Sequence, residues 1–238
     1  MGEDIIMQRV LVTGSNRGLG LEWVRQYAAA GWRVYATCRF PELADDLHRL
    51  AGECPDVTVH HLDVTHANEI HGLAVALAGE PLDLLVNNAA IYLERWGKDT
   101  LGQISYDHWQ ETFNVNTLGA MRVSEALIDN LARSEQGLIV AISSHMGSIR
   151  ELSAPNDYAY RSSKAALNAA MKGLALEVAK SGVGVLLLHP GWVRTRMGGE
   201  DAPVLAADSV AGMRELIARY QPAQSGHFFN YEGHAIPW

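Results

Sequence analysis

Arg9-Val-Leu-Val-Thr13-Gly14-Ser15-Asn16-Arg17-Gly18-Leu19-Gly20 is the stretch on which the fold turns. Residues 9–13 are rich in β-branched side chains, the composition of a buried strand. Three glycines then fall within seven residues, Gly14, Gly18 and Gly20, and allow a tight turn with close backbone approach. An amphipathic helix follows to about residue 30, where Gly31 stops it. A glycine-rich turn between a first strand and a first helix exposes free N–H groups to an anion, which is the setting of a phosphate-binding loop. The spacing is G-x-x-x-G-x-G rather than the common G-x-G-x-x-G, so an ordinary strand–helix turn is the competing reading.

Working outward, strands and helices alternate along the chain. Strands are expected over 9–13, 33–38, 57–62, 82–86, 138–143, 183–188 and 227–230. Helices are expected over 41–50, 67–78, 107–133, 157–180 and 208–220. The near-continuous apolar strands imply a parallel sheet covered on both faces. The strand–helix rhythm therefore predicts an α/β, doubly wound, Rossmann-like parallel sheet of about seven strands with helices on both faces. No linker, repeat or low-complexity segment interrupts residues 1–238, which read as one dinucleotide-binding catalytic domain.

Bulk properties narrow the function classes. The 238 residues are 48% hydrophobic and 19% charged, a globular composition. A net charge of −8 argues against a nucleic-acid partner. No apolar run approaches the roughly 20 residues of a membrane span, and the acidic start Met1-Gly2-Glu3-Asp4 lacks a signal-peptide pattern, so a cytoplasmic location is expected. Cys38 and Cys54 read as reduced thiols. The ten histidines show no ligand spacing, and no metal site is expected.

The end of the second strand, Ala36-Thr37-Cys38-Arg39, lacks the acid that would bond a ribose 2′-hydroxyl. Arg39 there and Arg17 in the glycine loop suit a 2′-phosphate instead, so NADP(H) is favoured and NAD(H) is the alternative. Asp63-Val64, after the third strand, offers an acceptor to an adenine amino group, against the competing reading of Asp63 as a helix N-cap. Tyr160 and Lys164 lie four residues apart, on one face of an expected helix. An ammonium beside a phenol stabilises phenolate and lowers its pKa from about 10, so the pair is a candidate general acid/base. Tyr158, by contrast, has Ser162 four residues on and lies about 200° around the helix from Tyr160, a packing or pocket-lining position.

With the glycine loop, Tyr160 and Lys164 together, the chain resembles the short-chain dehydrogenase/reductase family over nearly its whole length. Asn87-Asn88-Ala89-Ala90 resembles the family's N-N-A-G, with Ala90 replacing the last glycine. Asn116 matches the helix asparagine, Ser143-Ser144 closes the fifth strand, and Pro190-Gly191-Trp192-Val193-Arg194-Thr195 resembles P-G-x-V-x-T. Within the family the chain is most similar to the C-factor/sniffer-like carbonyl reductases, through Ser143-Ser144-His-Met-Gly147-Ser148, Tyr158-Ala-Tyr160-Arg-Ser-Ser-Lys164-Ala-Ala-Leu-Asn168 and the ending Gly226 to Trp238.

The resemblance implies hydride transfer between NADPH and an aldehyde or ketone. It assigns proton donation to Tyr160, carbonyl contact to Ser144, tuning and ribose contact to Lys164, and a proton path to Asn116. It places the cofactor on residues 14–20, Arg39, Asp63, Val64, Asn88, Ala89, Ala90, Tyr160, Lys164, Pro190, Gly191, Val193 and Thr195. Ser144 precedes Tyr160 by sixteen residues, about three more than is common in the family, and Ser148, twelve before it, is the second candidate. The excess falls in residues 149–157, a candidate substrate wall. Tyr92, Trp96 and Trp192 are candidate aromatic walls, and residues 196–205, with glycines and a proline, read as a short closing segment. The expected partner is a small carbonyl or alcohol. The resemblance implies that the long helices, with Ala165, Ala166, Ala169 and Ala170, can pair subunits as a homodimer or homotetramer, while relatives with extra residues before the tyrosine can be monomeric. Two rival readings stand: an NAD-dependent alcohol dehydrogenase and a non-catalytic dinucleotide-sensing or signalling protein.

Overall fold

The computed structural model describes residues 7–94 and 100–238. Among them, β1 (Arg9–Thr13), β2 (Arg33–Cys38), β3 (Val57–His61), β4 (Leu84–Asn87), β5 (Leu138–Ile142), β6 (Gly184–His189) and β7 (His227–Asn230) form one sheet in the order β3-β2-β1-β4-β5-β6-β7. Every pairing is parallel, so all strands end at one edge. Strand order reverses between β1 and β4, and a doubly wound sheet opens its ligand crevice at such a point.

Alternating side chains feed two cores, one per face. Val10 and Val12 of β1 join a cluster with Trp23, Tyr27 and Met213, which lie on α1 (Gly18–Ala29) and, further along the chain, the helix Ala206–Ala218. Leu11 joins the opposite cluster with Leu127, Leu131 and Met171. Each such leucine or valine contributes about 1.5–3 kcal/mol on burial. This two-sided burial explains why the strands read as continuous apolar runs.

Two helices differ from expectation. Residues 41–50 divide into a 3-10 turn, Pro41–Leu43, and α2 (Asp45–Glu53). The third helix, α3, covers Ala67–Ala76. The expected continuous helix over 107–133 is instead α4 (Tyr106–Phe113), a π-helical segment (Asn114–Gly119), α5 (Ala120–Ala126) and α6 (Ile128–Ala132). Tertiary contacts favour the wider turn. A Cβ on Gly119 would lie 2.6 Å from the Val64 Cγ2, so the backbone presses on β3's end, and the Asn116 amide is drawn to the Ile91 backbone. π-turns of this kind recur at functional sites. The long helix α7 covers Tyr158–Val178 and continues through a 3-10 turn to Gly182, whose φ of 74° ends it; α8 is Ala206–Ala218. Among the described residues, no helix is long and apolar enough to cross a membrane.

Candidate active site

The strand ends flanking the β1/β4 switch carry two groups of candidate residues, one built on glycines and one around Tyr160. At the first, Gly14 and Gly18 take φ of 69° and 56°, conformations that side chains oppose. A Cβ on Gly20 would lie 2.1 Å from the Gly14 carbonyl oxygen, and one on Gly14 would lie 2.9 Å from the Ala89 Cα. The loop thus takes a shape only glycine permits at these positions. Ser15 ties it down, donating from its hydroxyl to the Val12 carbonyl at 2.7 Å and from its N–H to the Thr37 carbonyl at 2.9 Å. Arg17, the N-cap of α1, is extended and makes no side-chain cap, so the α1 N-terminus keeps its free N–H donors, with Asn16 beside them and Leu19 packing inward.

Asn88 joins this loop to β4. Its amide donates to the Thr13 and Gly14 carbonyls at 2.8 and 3.2 Å, while the N–H groups of Asn88 and Ala89 donate to the Thr13 hydroxyl. Ala90 follows in the same half-buried loop. On the other wall, the Thr195 methyl lies 3.5 Å from where a Cβ on Gly18 would be. Gly191 has φ 84°, Val193 is buried, and the Pro190 carbonyl accepts from Ser209.

Charge at this end is positive. Burial, then the guanidiniums of Arg196 and Arg39, pull Arg17 below the ordinary arginine range. Arg196 was not among the expected residues; its place after Thr195 gave no sign that the fold brings it near Arg17. Asp63 does not cap α3, whose N-cap is His66. Its Oδ1 accepts from the Thr65 N–H and hydroxyl, at 2.8 and 2.7 Å. Burial pushes the Asp63 carboxyl up, but these bonds and the charges of Arg39 and His66 outweigh it and leave the pKa lowered. Val64 is buried against Gly119.

The tyrosine end is assembled from separate segments. Tyr160 and Lys164 are buried together on α7, the ammonium 5.7 Å from the phenol ring centre, with the Lys164 Nζ donating to the Ile142 carbonyl at 2.8 Å. Ser144 begins a 3-10 turn, His145–Gly147, whose Gly147 sits so close to α7 that a Cβ would be 2.9 Å from Lys164. Ser144 is buried on the same side, close enough to the Tyr160 phenol to favour its ionised form. Ser143 is committed elsewhere, donating to the Asn168 Oδ1 at 2.5 Å, and Ser148 accepts from the Glu151 N–H. Asn116 holds the Ile91 backbone in both directions and donates to the Ser163 hydroxyl at 3.1 Å. It reaches α7 beside Lys164 without touching the ammonium.

Desolvation decides the protonation here. The direction differs from the expected lowering of the phenol: burial pushes Tyr160 up to about 12 against the influence of Ser144, and burial pulls Lys164 down to about 7. The site thus holds a protonated phenol beside a lysine that titrates near neutrality.

Other expected residues fall as follows. Tyr92 stacks on Tyr160 with ring centres 4.4 Å apart. Tyr158 stacks on Trp109, turned toward α4. Trp192 is 56% exposed and donates to the Gly198 carbonyl, outside the core. Trp96 lies outside the described residues. Residues 196–205 are tied down rather than loose, through a parallel bridge of Val193 with Val204 and bonds from Arg194 to the Ala202 and Val204 carbonyls. Residues 149–157 are anchored by the His145–Glu151 ion pair and by the Arg150 N–H on the Trp238 carbonyl. A residue the sequence did not flag, Glu94, accepts from the N–H groups of Ala159 and Tyr160. Among the described residues, no cluster of His, Cys, Asp or Glu is placed to hold a metal.

A strand–glycine-loop–helix crevice with Ser, Tyr, Lys and Asn converging at its far end defines an oxidoreductase of the short-chain type. The family model for short chain dehydrogenases matches residues 8–204, and the chain belongs to that family. The chain is 40% identical over 158 residues to the C-signal protein of Myxococcus xanthus, covering 66% of this chain and 93% of that one. Its fold is similar to the NADPH-bound carbonyl reductase from chicken fatty liver, with TM-score 0.89, 33% identity, and coverage of 98% and 99%. It is likewise similar to the carbonyl reductase Sniffer of D. melanogaster, with TM-score 0.90, 29% identity, and coverage of 98% and 100%.

Proposed function

We propose that the chain is an NADPH-dependent reductase of aldehyde or ketone carbonyls. The observation that carries this reading is the burial of Ser144, Tyr160 and Lys164 together, with the Lys164 Nζ 5.7 Å from the phenol ring centre. Residues 14–20 suit a pyrophosphate, because the backbone is bare where phosphate oxygens need close approach and the helix N–H donors are uncapped. Arg17 and Arg39 suit a 2′-phosphate, and Asp63 and Val64 an adenine edge. Asn88, Ala89, Ala90, Pro190, Gly191, Val193 and Thr195 would line the nicotinamide half, with Tyr160 and Lys164 at its ribose. When bound, the nicotinamide supplies a hydride for the carbonyl carbon.

The chain's own residues handle the oxygen. Ser144 donates a hydrogen bond to it, which stabilises the negative charge that builds there. Tyr160, held protonated by burial, gives its proton to the same atom. Lys164 then faces a nascent phenolate, whose charge its ammonium offsets, and Asn116 braces the π-turn through which protons return. The relative named a carbonyl reductase with NADPH bound supports the cofactor and reaction.

The relative named C-signal favours a second reading, a dinucleotide-binding signalling protein. Loss of NADPH absorbance across a panel of aldehydes and ketones separates the two. Turnover is the expected result; saturable NADPH binding with no turnover on any member supports the second reading.

A further inference from the structure

Helix α7 carries Tyr160 on its first turn, yet its own N-cap residue does not cap it. Asp157 stands there with φ 55°, preceded by Asn156 with φ 70°, and makes no side-chain cap bond. Two successive left-handed non-glycine residues are unfavourable and persist only where surrounding contacts hold them. The cap comes from 65 residues away: Glu94 Oε1 accepts from the Ala159 N–H at 2.9 Å, and its Oε2 accepts from the Tyr160 N–H at 2.7 Å. Glu94 is 3% exposed, so its charge is satisfied by these donors and by the positive end of the helix rather than by water. Two residues earlier, the Tyr92 hydroxyl donates to Asp157 Oδ1 and its ring stacks on Tyr160.

The same stretch is fastened to the nucleotide end. Asn87 donates to the Ser124 hydroxyl, Asn88 holds Thr13 and Gly14, and the Ile91 backbone grips Asn116. Residues 87–94 therefore run as one strut from the glycine loop to the first turn of α7. We infer that Glu94 is a positioning residue whose carboxylate sets the distance between the cofactor loop and the Tyr160 hydroxyl. This rests on the reading of Tyr160 as proton donor. A proton donor is sensitive to placement, since a displacement of about 1 Å can cost about a hundredfold in rate.

Glu94→Ala leaves two N–H groups of α7 without their acceptor and frees the strut's end. Hydrogen exchange at the Ala159 and Tyr160 amides is expected to accelerate, and kcat to fall about tenfold or more, while the NADPH dissociation constant stays within about twofold. The solvent deuterium isotope effect on kcat rises, because proton transfer becomes slower than the other steps. Glu94→Gln, which keeps one acceptor oxygen, recovers part of kcat and serves alone if the alanine variant does not fold. Wild-type kcat in a folded Glu94→Ala protein overturns the inference. So does a loss of NADPH affinity parallel to the loss of kcat, which marks a general structural role. If the wild-type protein reduces no carbonyl, the proton-donor reading fails separately, and unchanged exchange at the two amides then overturns the strut.

Discussion

At the glycine loop, geometry is made by backbone and by the absence of side chains; around Tyr160 it is made by side chains from its own helix and from three distant segments. Gly14, Gly18 and Gly20 are contiguous with β1 and α1, and each has a local reason to be glycine. Lys164 shares α7 with Tyr160, whereas Ser144, Asn116 and Glu94 meet that helix only through the tertiary fold, in which β4 and β5 are neighbours. The electrostatics differ as well. The loop end gathers exposed arginines, while the tyrosine end buries its titratable groups and shifts their protonation. A glycine-built loop can be written in one short motif, and the buried constellation around Tyr160 needs a tertiary structure.

The sharpest break in that comparison is Tyr160→Phe. Turnover is expected to fall about a thousandfold, ~4 kcal/mol of barrier, with NADPH affinity within about twofold by fluorescence titration. A comparable loss of affinity would show that the two ends are one unit. The next test uses the buried charge. The folded Lys164 sits at about 7, below its ordinary 10.5, so the unfolded chain binds the extra proton between those values. Stability should therefore rise with pH across about 7 to 10, by on the order of 3 kcal/mol. Above about 10 it should decline, because folded Tyr160, raised to about 12, holds its proton longer than the unfolded chain does. Denaturant titrations across pH read this directly, and Lys164→Met should erase the rise.

Gly20→Ala probes the other end. The added methyl would lie 2.1 Å from the Gly14 carbonyl, so a stability loss of about 1–3 kcal/mol is expected, with weaker NADPH binding measured by titration. Retained affinity would show that the loop has room the geometry denies. The smallest effect is Arg39→Ala, expected to narrow the ratio of kcat/KM for NADPH over NADH about tenfold, ~1.4 kcal/mol. An unchanged ratio would move the 2′-phosphate contact to Arg17 and Arg196.

Local sequence made much of this legible. The bounds of β1, β2 and β7 follow from their apolar runs, and Gly31 and Gly182 end their helices as expected. The Tyr160–Lys164 spacing gave the shared face, and Ser143 donates instead to Asn168. The broken helix after residue 106 was not legible, because periodicity over 107–133 is helical throughout, while the wider turn goes with non-local contacts: the Asn116–Ile91 bonds, the Thr117–Ser163 bond and the close approach of Gly119 to Val64. Glu94 and Arg196 carried no signal, since a lone glutamate or arginine in a loop looks like a solvated charge.

The sequence by itself determined the order of elements, the phosphate-loop geometry and the family, because each depends on residues adjacent in the chain or on their spacing. Only the tertiary structure decided the protonation of the Tyr160–Lys164 pair and the cap on its helix. Desolvation raises the phenol and lowers the ammonium, and a buried carboxylate 65 residues away replaces the cap that Asp157 does not provide.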